Sequence, residues 1–176
     1  TIEGMEPGDY LDHYIYEAPL GKLLIEGPNV IEVRTQGQLY PTPTLENPVI
    51  ITGRFATGER DGEPALLVEP GTMDGAGWDR CGYPYYSGVG VYRQRVKFTK
   101  AQCNCRIFLE MDHPGDLLEV RVNGKTCGTR AWEPWRVEIT HAIEGPTNEV
   151  ELWVANSLQN LLLQQPKPSG VLGRVR

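Results

Sequence analysis

Aromatic side chains are concentrated in a loop rich in glycine and proline near the middle of the chain. Four of them fall within nine residues, namely Trp78, Tyr83, Tyr85 and Tyr86. Sugar rings present C–H faces that stack on aromatic rings, and their hydroxyl groups bind polar side chains such as that of Arg93. The residue types in this loop therefore suit contact with a carbohydrate.

Two more indoles, those of Trp132 and Trp135, lie on either side of Pro134. Proline fixes φ and has no N–H to donate, so we expect a rigid loop that closes one end of the fold. The predicted ligand-binding residues are Trp78, Tyr85, Tyr86, Arg93, Trp132 and Trp135. Packing of the same rings in the core or against another domain is the alternative, and the one we prefer.

Pairs of carboxylates are the first requirement for glycoside hydrolysis. Glu110 and Asp112 could share one face of a strand, and so could Glu149 and Glu151, but on amphipathic strands these positions face solvent. The three histidines are scattered, and no Gly-x-Ser-x-Gly nucleophile motif occurs. We therefore predict no catalytic residues and no enzymatic activity in this chain by itself.

The four cysteines are Cys81, Cys103, Cys105 and Cys127. On a predicted strand, Cys103 and Cys105 would share one face. Zinc sites usually combine two closely spaced pairs of ligands, and a second pair is missing here. We predict buried free thiols and no metal ligands, with a disulfide as the alternative.

Alternation of apolar and polar residues with a period of two dominates the second half of the chain. The predicted strands cover residues 92–98, 105–111, 118–122, 136–139 and 149–154. Residues 113–116 form a predicted turn, and Asn123-Gly124 has the residue types of a type I′ hairpin. The best helical candidate is a short turn near residues 140–143. This pattern predicts an all-β fold, a β-sandwich or jelly roll.

Composition and charge exclude several classes of protein. The 176 residues are 40% hydrophobic and 23% charged, with a formal net charge of −6. A nucleic-acid partner is not expected, because phosphate binding needs a basic face. Membrane insertion is not expected either, since no run of about 18 apolar residues occurs. Residues 1–6 lack the pattern of a signal peptide, and the first residue suggests a piece of a longer protein, so a secreted, periplasmic or cytoplasmic location stays open.

One segment of the sequence is echoed later in the chain. Residues 25–33 (IEGPNVIEV) resemble residues 143–152 (IEGPTNEVEL), and both predict a turn that opens an alternating strand. Either such turns are simply common before strands, or two similar sandwich endings lie in tandem. In the second case residues 1–45 finish a preceding sandwich or complete this one, residues 38–44 are the connection, and residues 46–176 form the jelly roll.

An ordered set of motifs after residue 78 carries a resemblance to a known family. The set comprises Gly82–Gly88, Val120–Lys125, Trp132–Trp135, Val137–Thr140, Leu152–Val154, Asn156–Asn160 and Ser169–Gly173. In this order it resembles the galactose-binding-like jelly roll of glycoside hydrolases. It is similar to the sugar-binding domains of family 2 β-galactosidases and β-glucuronidases, and closer to the C-terminal sandwiches of large α-L-rhamnosidases.

The resemblance implies a non-catalytic accessory domain of a bacterial glycoside hydrolase. The implied partners are a carbohydrate and the catalytic domain of the same polypeptide. An autonomous carbohydrate-binding module, a purely structural or protein-interaction sandwich, and an all-β lyase or esterase are the alternatives. Jelly rolls of this type often hold a structural calcium ion, but the sequence offers no compact acidic loop for it, and we assign no cofactor and no metal ligands.

Overall fold

The computed structural model describes residues 6–7, 16–33, 49–73, 77–163 and 166–176. The chain divides into two compact units, residues 1–50 and 51–176. The domain boundary predicted after residue 45 and the connection predicted at residues 38–44 lie outside the described residues.

The first unit contains a short antiparallel pair, β1 (Glu6–Pro7) and β2 (Tyr16–Glu17). A tight turn follows at residues 21–23, and a second turn is closed by the side chain of Asn29. The alternating residues 30–33, which we expected to form a strand, are not part of one.

The second unit is a sandwich of two antiparallel sheets with a hairpin beside them. One sheet has four strands in the order β5-β10-β7-β8, and the other has three in the order β11-β6-β9. The hairpin is β3 (Ala56–Arg60) with β4 (Glu63–Leu67). The other strands are β5 (Val89–Lys97), β6 (Phe108–His113), β7 (Leu117–Val122), β8 (Lys125–Arg130), β9 (Arg136–Glu138), β10 (Thr147–Ala155) and β11 (Leu172–Val175). The predicted all-β sandwich is confirmed.

The core lies between the two sheets and is built from alternate residues of the strands. In β7 and β10 every second residue is buried: Leu118, Val120, Val122, Val150, Leu152 and Val154. The opposite sheet contributes Leu109, Met111 and Val137, and all belong to one apolar cluster. Because side chains of a strand point alternately to its two faces, the sequence alternation fixes which face is buried.

Turn chemistry was predicted correctly at one hairpin and missed at another. Asn123 and Gly124 between β7 and β8 have φ of 51° and 77°, as a type I′ turn requires. The β3–β4 hairpin was not predicted, although Asp61-Gly62 carries the same signal, with φ of 55° and 83°. The alternation around Asp61-Gly62 is weak, which hid the two strands.

Cys103 and Cys105 do not share a strand as expected, because a short helix precedes β6. Thr99 caps α1 (Lys100–Cys103) by accepting from the Gln102 amide, while the Gln102 side chain accepts from the Thr99 amide. This capping box ends the alternation before residue 105, so Cys103 and Cys105 do not lie on a strand. A second helix, α2 (Gln159–Leu163), was also not predicted, whereas the turn expected near residues 140–143 is present as one 3₁₀ turn at Thr140–Ala142.

All four thiols are free, which confirms that part of the cysteine prediction. Their expected burial is wrong for Cys105, which is exposed, and the other three are only partly buried. Burial raises the pKa of the Cys127 thiol.

Within the described ranges, no helix is both long and apolar enough to cross a bilayer.

Adjacent leucines of β7 provide a test of the strand register. Leu118 is fully buried, whereas Leu117 is 37% exposed on the opposite face. We expect Leu118→Ala to lower the free energy of unfolding by about 2–5 kcal/mol, because it leaves a cavity between the sheets. The matched control Leu117→Ala should change it by about 0.5 kcal/mol or less. Equal losses in urea titrations of the two variants would contradict the register.

Candidate functional site

Trp78 anchors the aromatic loop to the core. Its side chain is 1% exposed, and its indole N–H donates to the Tyr92 hydroxyl at 2.6 Å. The same hydroxyl accepts from the Val171 amide at 3.2 Å. The hydroxyl of Tyr92, on β5, therefore joins the loop to the segment that leads into β11. Trp78 lies where the packing interpretation places it, with almost no surface open to solvent.

The tyrosines of the loop lie closer to the surface. The Tyr86 ring meets Trp78 edge to face at 5.2 Å between centroids, and its hydroxyl donates to the Val89 carbonyl at 2.9 Å. Tyr85 and Tyr86 are 44% and 41% exposed. Burial, followed by the negative charge of Glu69, raises the pKa of the Tyr83 hydroxyl.

Asn156, just after β10, holds the loop in place. Its side-chain oxygen accepts from the Gly88 amide at 2.9 Å. Its side-chain nitrogen donates to the Tyr86 carbonyl at 2.8 Å and to the Ser169 hydroxyl at 3.1 Å. Ser169 also accepts from Asn160, which is 3% exposed. The Asn156–Asn160 and Ser169–Gly173 motifs that carried the family resemblance thus include polar ties between the loops at one end of the sandwich.

An apolar cleft of about 980 Å³ lies between the two sheets beside β5. Trp78 and Tyr86 border it, and so does Arg93, although the Arg93 side chain is paired with Glu151 on the outer face of the four-stranded sheet. Most other lining residues are apolar, among them Val96, Phe98, Ile107, Leu109, Ile139, Val150 and Leu152. Tyr85 does not line this cleft. The cleft is a continuation of the core, and it offers few groups that would bind sugar hydroxyls.

A smaller and more polar pocket of about 600 Å³ lies beside β6 and the loop before β9. It is lined by Glu110, Met111, Asp112, His113, Glu133, Pro134, Trp135, Leu172 and Gly173. Trp135 is half-buried against the core, while Trp132 on the same loop is 75% exposed. The structure therefore divides the six predicted residues among the cleft, this pocket and the open surface.

Glu110, Asp112 and Glu149 are exposed, as expected for amphipathic strands, whereas the Glu151 side chain is 13% exposed. Asp112 accepts from the Arg174 amide at 3.0 Å and from the Arg176 guanidinium at 3.3 Å. Hydrogen bonds from Arg93 and then Trp153 lower the pKa of Glu151. A general acid in glycoside hydrolysis needs the opposite, a raised pKa. Glu151 is therefore poorly suited to donate a proton.

The outer face of the four-stranded sheet has an apolar end. In one row across the sheet, Val89 of β5 lies opposite Ala155 of β10, which lies opposite Leu117 of β7. In the next row Val91 lies opposite Trp153. Val89, Val91 and Leu117 are 49%, 36% and 37% exposed. We call these five residues the apolar outer face. Solvated sheet faces normally carry polar residues, so this face departs from the usual pattern.

Charged residues border the apolar outer face and are already paired with one another. Arg93 of β5 binds Glu151, its cross-strand neighbour, and Arg121 binds Glu119. The Arg121 guanidinium also lies over the Trp153 ring, 4.1 Å from its centroid. One face of this indole is therefore covered by protein, and the charged border presents few free charges.

Carboxylates for a calcium ion are not assembled in the described part of the chain. No group of three or more His, Cys, Asp or Glu side chains lies close enough together there to hold a metal ion. One buried carboxylate oxygen, Asp79 Oδ1, lacks a hydrogen-bond partner. A single oxygen falls well short of the six to eight that calcium takes, so these residues do not fit such a site.

Comparisons with known proteins point to glycoside hydrolases. No family model matches the chain. A Formosa agariphila protein that is named as a β-glucuronidase without an established activity is 28% identical to this chain over 88 residues. The match covers 49% of this chain and 8% of that protein. The structure of a rhamnosidase from Novosphingobium sp. PP1Y matches with a TM-score of 0.51 and 25% identity, over 64% of this chain and 13% of that one.

A family 2 glycosyl hydrolase from Bacteroides cellulosilyticus matches 69% of this chain and 18% of its own, with 16% identity and a TM-score of 0.45. The likeness to the rhamnosidase and to the Formosa agariphila protein confirms the predicted resemblance to the sandwich domains of glycoside hydrolases. The chain spans only a small part of each of these proteins, which is consistent with a small accessory domain.

Close packing of Trp78 on β5 gives a second test. A Cβ atom on Gly90 would overlap the Trp78 indole, whereas one on Gly71 would meet nothing within 4 Å. We expect Gly90→Ala to lower the free energy of unfolding by about 1–3 kcal/mol and to shift the tryptophan emission, since the loop must move. Gly71→Ala should do neither. Unchanged stability of Gly90→Ala would contradict the described anchoring of the loop.

Proposed function

We propose that this chain is a non-catalytic accessory β-sandwich domain of a bacterial glycoside hydrolase, which braces the catalytic domain of the same polypeptide. The observation that carries the proposal is the apolar outer face, formed by Val89, Val91, Leu117, Trp153 and Ala155. The likeness to parts of much larger glycoside hydrolases supports it.

The make-up of the apolar outer face suits a protein partner. Protein interfaces combine an apolar centre with a polar rim, and arginine and tryptophan are enriched in them. Here the centre is the two apolar rows, and the rim is the set of paired charges Arg93–Glu151 and Arg121–Glu119. Because these charges already neutralise one another, a partner need not supply counter-charges.

A sugar is a poorer match for this face. Stacking of a sugar needs an open ring face, and Arg121 lies over the Trp153 ring. The neighbouring Val89, Val91 and Leu117 offer no hydrogen bonds to hydroxyl groups. A protein domain with its own apolar patch would gain more from burial of these side chains.

The bracing role predicts a substitution that acts only when the catalytic domain is present. Val91→Lys should leave the melting temperature of the 176-residue chain nearly unchanged, because residue 91 is solvent-exposed there. In the full-length gene product it should destabilise this domain by about 0.5–3 kcal/mol, since a lysine would be buried at the contact. Differential scanning calorimetry of both proteins provides the measurement.

Val68→Lys is the matched control, because Val68 is also an exposed valine, at 93%, but follows β4 and is not part of the four-stranded sheet. It should have no effect in either protein. Equal behaviour of Val91→Lys and Val68→Lys in the full-length product would refute the bracing contact. A full-length product without a glycoside hydrolase catalytic domain would refute the wider proposal.

Carbohydrate contact at the pocket beside β6 and the loop before β9 is the second candidate function. It is favoured by Trp132, which is 75% exposed, next to the pocket that holds Glu110, Asp112 and Trp135. Exposed indoles with carboxylates nearby supply both a stacking face and hydroxyl acceptors. Contact of this kind would add sugar binding to the bracing role without requiring catalysis.

Tryptophan fluorescence tests the second candidate directly. Titration of the unsubstituted 176-residue chain with mono- and oligosaccharides at millimolar concentrations should give a saturable change in tryptophan fluorescence. Trp132→Ala should abolish the change, and Val91→Lys should retain it, because residue 91 belongs to the apolar outer face. If the fluorescence of the unsubstituted chain does not change, packing remains the role of these indoles. If the change persists in Trp132→Ala, the sugar binds elsewhere.

A further inference from the structure

Residues 23–33 expose apolar side chains that a sheet would normally bury. Val30 is 94% exposed, Ile25 69% and Leu23 55%, and Ile31 and Val33 are more than 40% exposed. Six large apolar side chains within eleven residues are exposed in this way: Leu23, Leu24, Ile25, Val30, Ile31 and Val33. Single exposed apolar residues are common, but a contiguous group marks a surface that another element covers.

Hydrogen bonds in two turns of this segment have counterparts in a segment of the sandwich. The Leu23 amide donates to the Leu20 carbonyl at 2.8 Å, and the Ala142 amide donates to the Ile139 carbonyl at 3.0 Å. Leu20 and Leu23 correspond to Ile139 and Ala142 when residue numbers are shifted by 119. Both hydrogen bonds close one helical turn immediately before the echoed sequence.

The next turn repeats at the same shift. Asn29 Oδ1 accepts from the Ile25 amide at 3.0 Å, and Asn148 Oδ1 accepts from the Glu144 amide at 2.7 Å. In both turns the asparagine nitrogen also donates to a turn carbonyl, of Gly27 in the first and Gly145 in the second. Moving from Ile25 to Glu144 and from Asn29 to Asn148 is again a shift of 119 residues. The Gly-Pro pair itself is displaced by one position, since Gly27 and Gly145 differ by 118 residues, but the four hydrogen-bonded positions Leu20, Leu23, Ile25 and Asn29 share the shift of 119.

The residues after each asparagine then alternate in the same phase. Ile31 and Val33 correspond to Val150 and Leu152 of β10, which are 7% exposed in the core. Val30 corresponds to Glu149, which faces solvent. In the sandwich β10 lies between β5 and β7. Residues 30–33 have the pattern of such a central strand but form no strand with any described residue.

We infer that residues 20–33 are the closing part of a second β-sandwich of the same class, whose earlier strands, the counterparts of β5 and β6, precede this chain in the parent polypeptide. Residues 30–33 then form a strand that pairs with this preceding sandwich, as β10 pairs with β5 and β7. A shift of 119 residues places the counterpart of β5 (Val89–Lys97) before Thr1, outside this chain. The shift is also close to the length of one sandwich, since the second compact unit covers residues 51–176.

Amide hydrogen exchange tests the inference on two proteins, the 176-residue chain and the same chain extended at its N-terminus by about 120 residues of parent sequence. The amides of residues 31 and 33 should exchange rapidly in the shorter chain. In the extended chain they should exchange at least about 100-fold more slowly, because a paired central strand opens only with its sheet. Unchanged exchange in the extended chain would overturn the inference.

Two valine substitutions make the test specific to one face. Val33→Lys should lower the melting temperature of the preceding sandwich in the extended chain by several degrees, because Val33 corresponds to buried Leu152. Val30→Lys, which corresponds to solvent-facing Glu149, should not. Neither should affect the shorter chain.

Two other occupants of this surface give different results. If Val33→Lys lowers the melting temperature of the shorter chain, residues 20–33 pack within this chain, and the inference is wrong. If the shorter chain is a dimer that Val33→Lys converts to a monomer, a second copy covers the surface, and the inference is again wrong. These outcomes are independent of the bracing role, which depends on Val91 and the catalytic domain.

Discussion

Burial of one face of β7 and β10 against the three-stranded sheet is the constraint on which the rest of the sandwich depends. These two strands are the inner pair of the four-stranded sheet, and Val120 and Val154 are fully buried. A slip of one residue in either strand would turn the buried set to solvent and the charged set to the core. The positions of Glu151, Trp153 and Arg121 on the outer face follow from the same register.

The fold was predictable because its main signals are local. Alternation assigned β5, β6, β7, β9 and β10, and Asn123-Gly124 assigned a turn that needs positive φ at two successive residues. The misses have equally local causes. A capping box at Thr99 and Gln102 begins a helical turn at Lys100–Cys103, and β6 starts only at Phe108, three residues after its expected start. The β3–β4 hairpin carries Asp61-Gly62 but has exposed leucines and a proline, so its strands lack a clear apolar face.

The candidate site was less predictable, because proximity in sequence does not determine which way a ring points. Trp78 and Tyr85 are seven residues apart, yet one is 1% exposed and the other 44%. Trp132 and Trp135 likewise separate into an exposed and a half-buried indole. The apolar outer face escaped notice because its residues come from three strands and meet only through the register of β5, β10 and β7. Such a surface becomes visible only when strand pairing is known.

The β7–β8 turn has a consequence for the chemical durability of this protein. An asparagine followed by glycine is the sequence most prone to spontaneous deamidation, because the next backbone nitrogen can attack the side-chain carbonyl. In Asn123 the side-chain nitrogen donates to the Ala142 carbonyl and to Asn148 Oδ1, while the oxygen accepts from the Glu149 amide. These three bonds fix the amide and restrain the rotation that the attack requires. Conversion of Asn123 to aspartate would place a negative charge next to two acceptor oxygens, those of Ala142 and Asn148. The hydrogen bonds of this one side chain therefore control how fast the domain loses stability through deamidation.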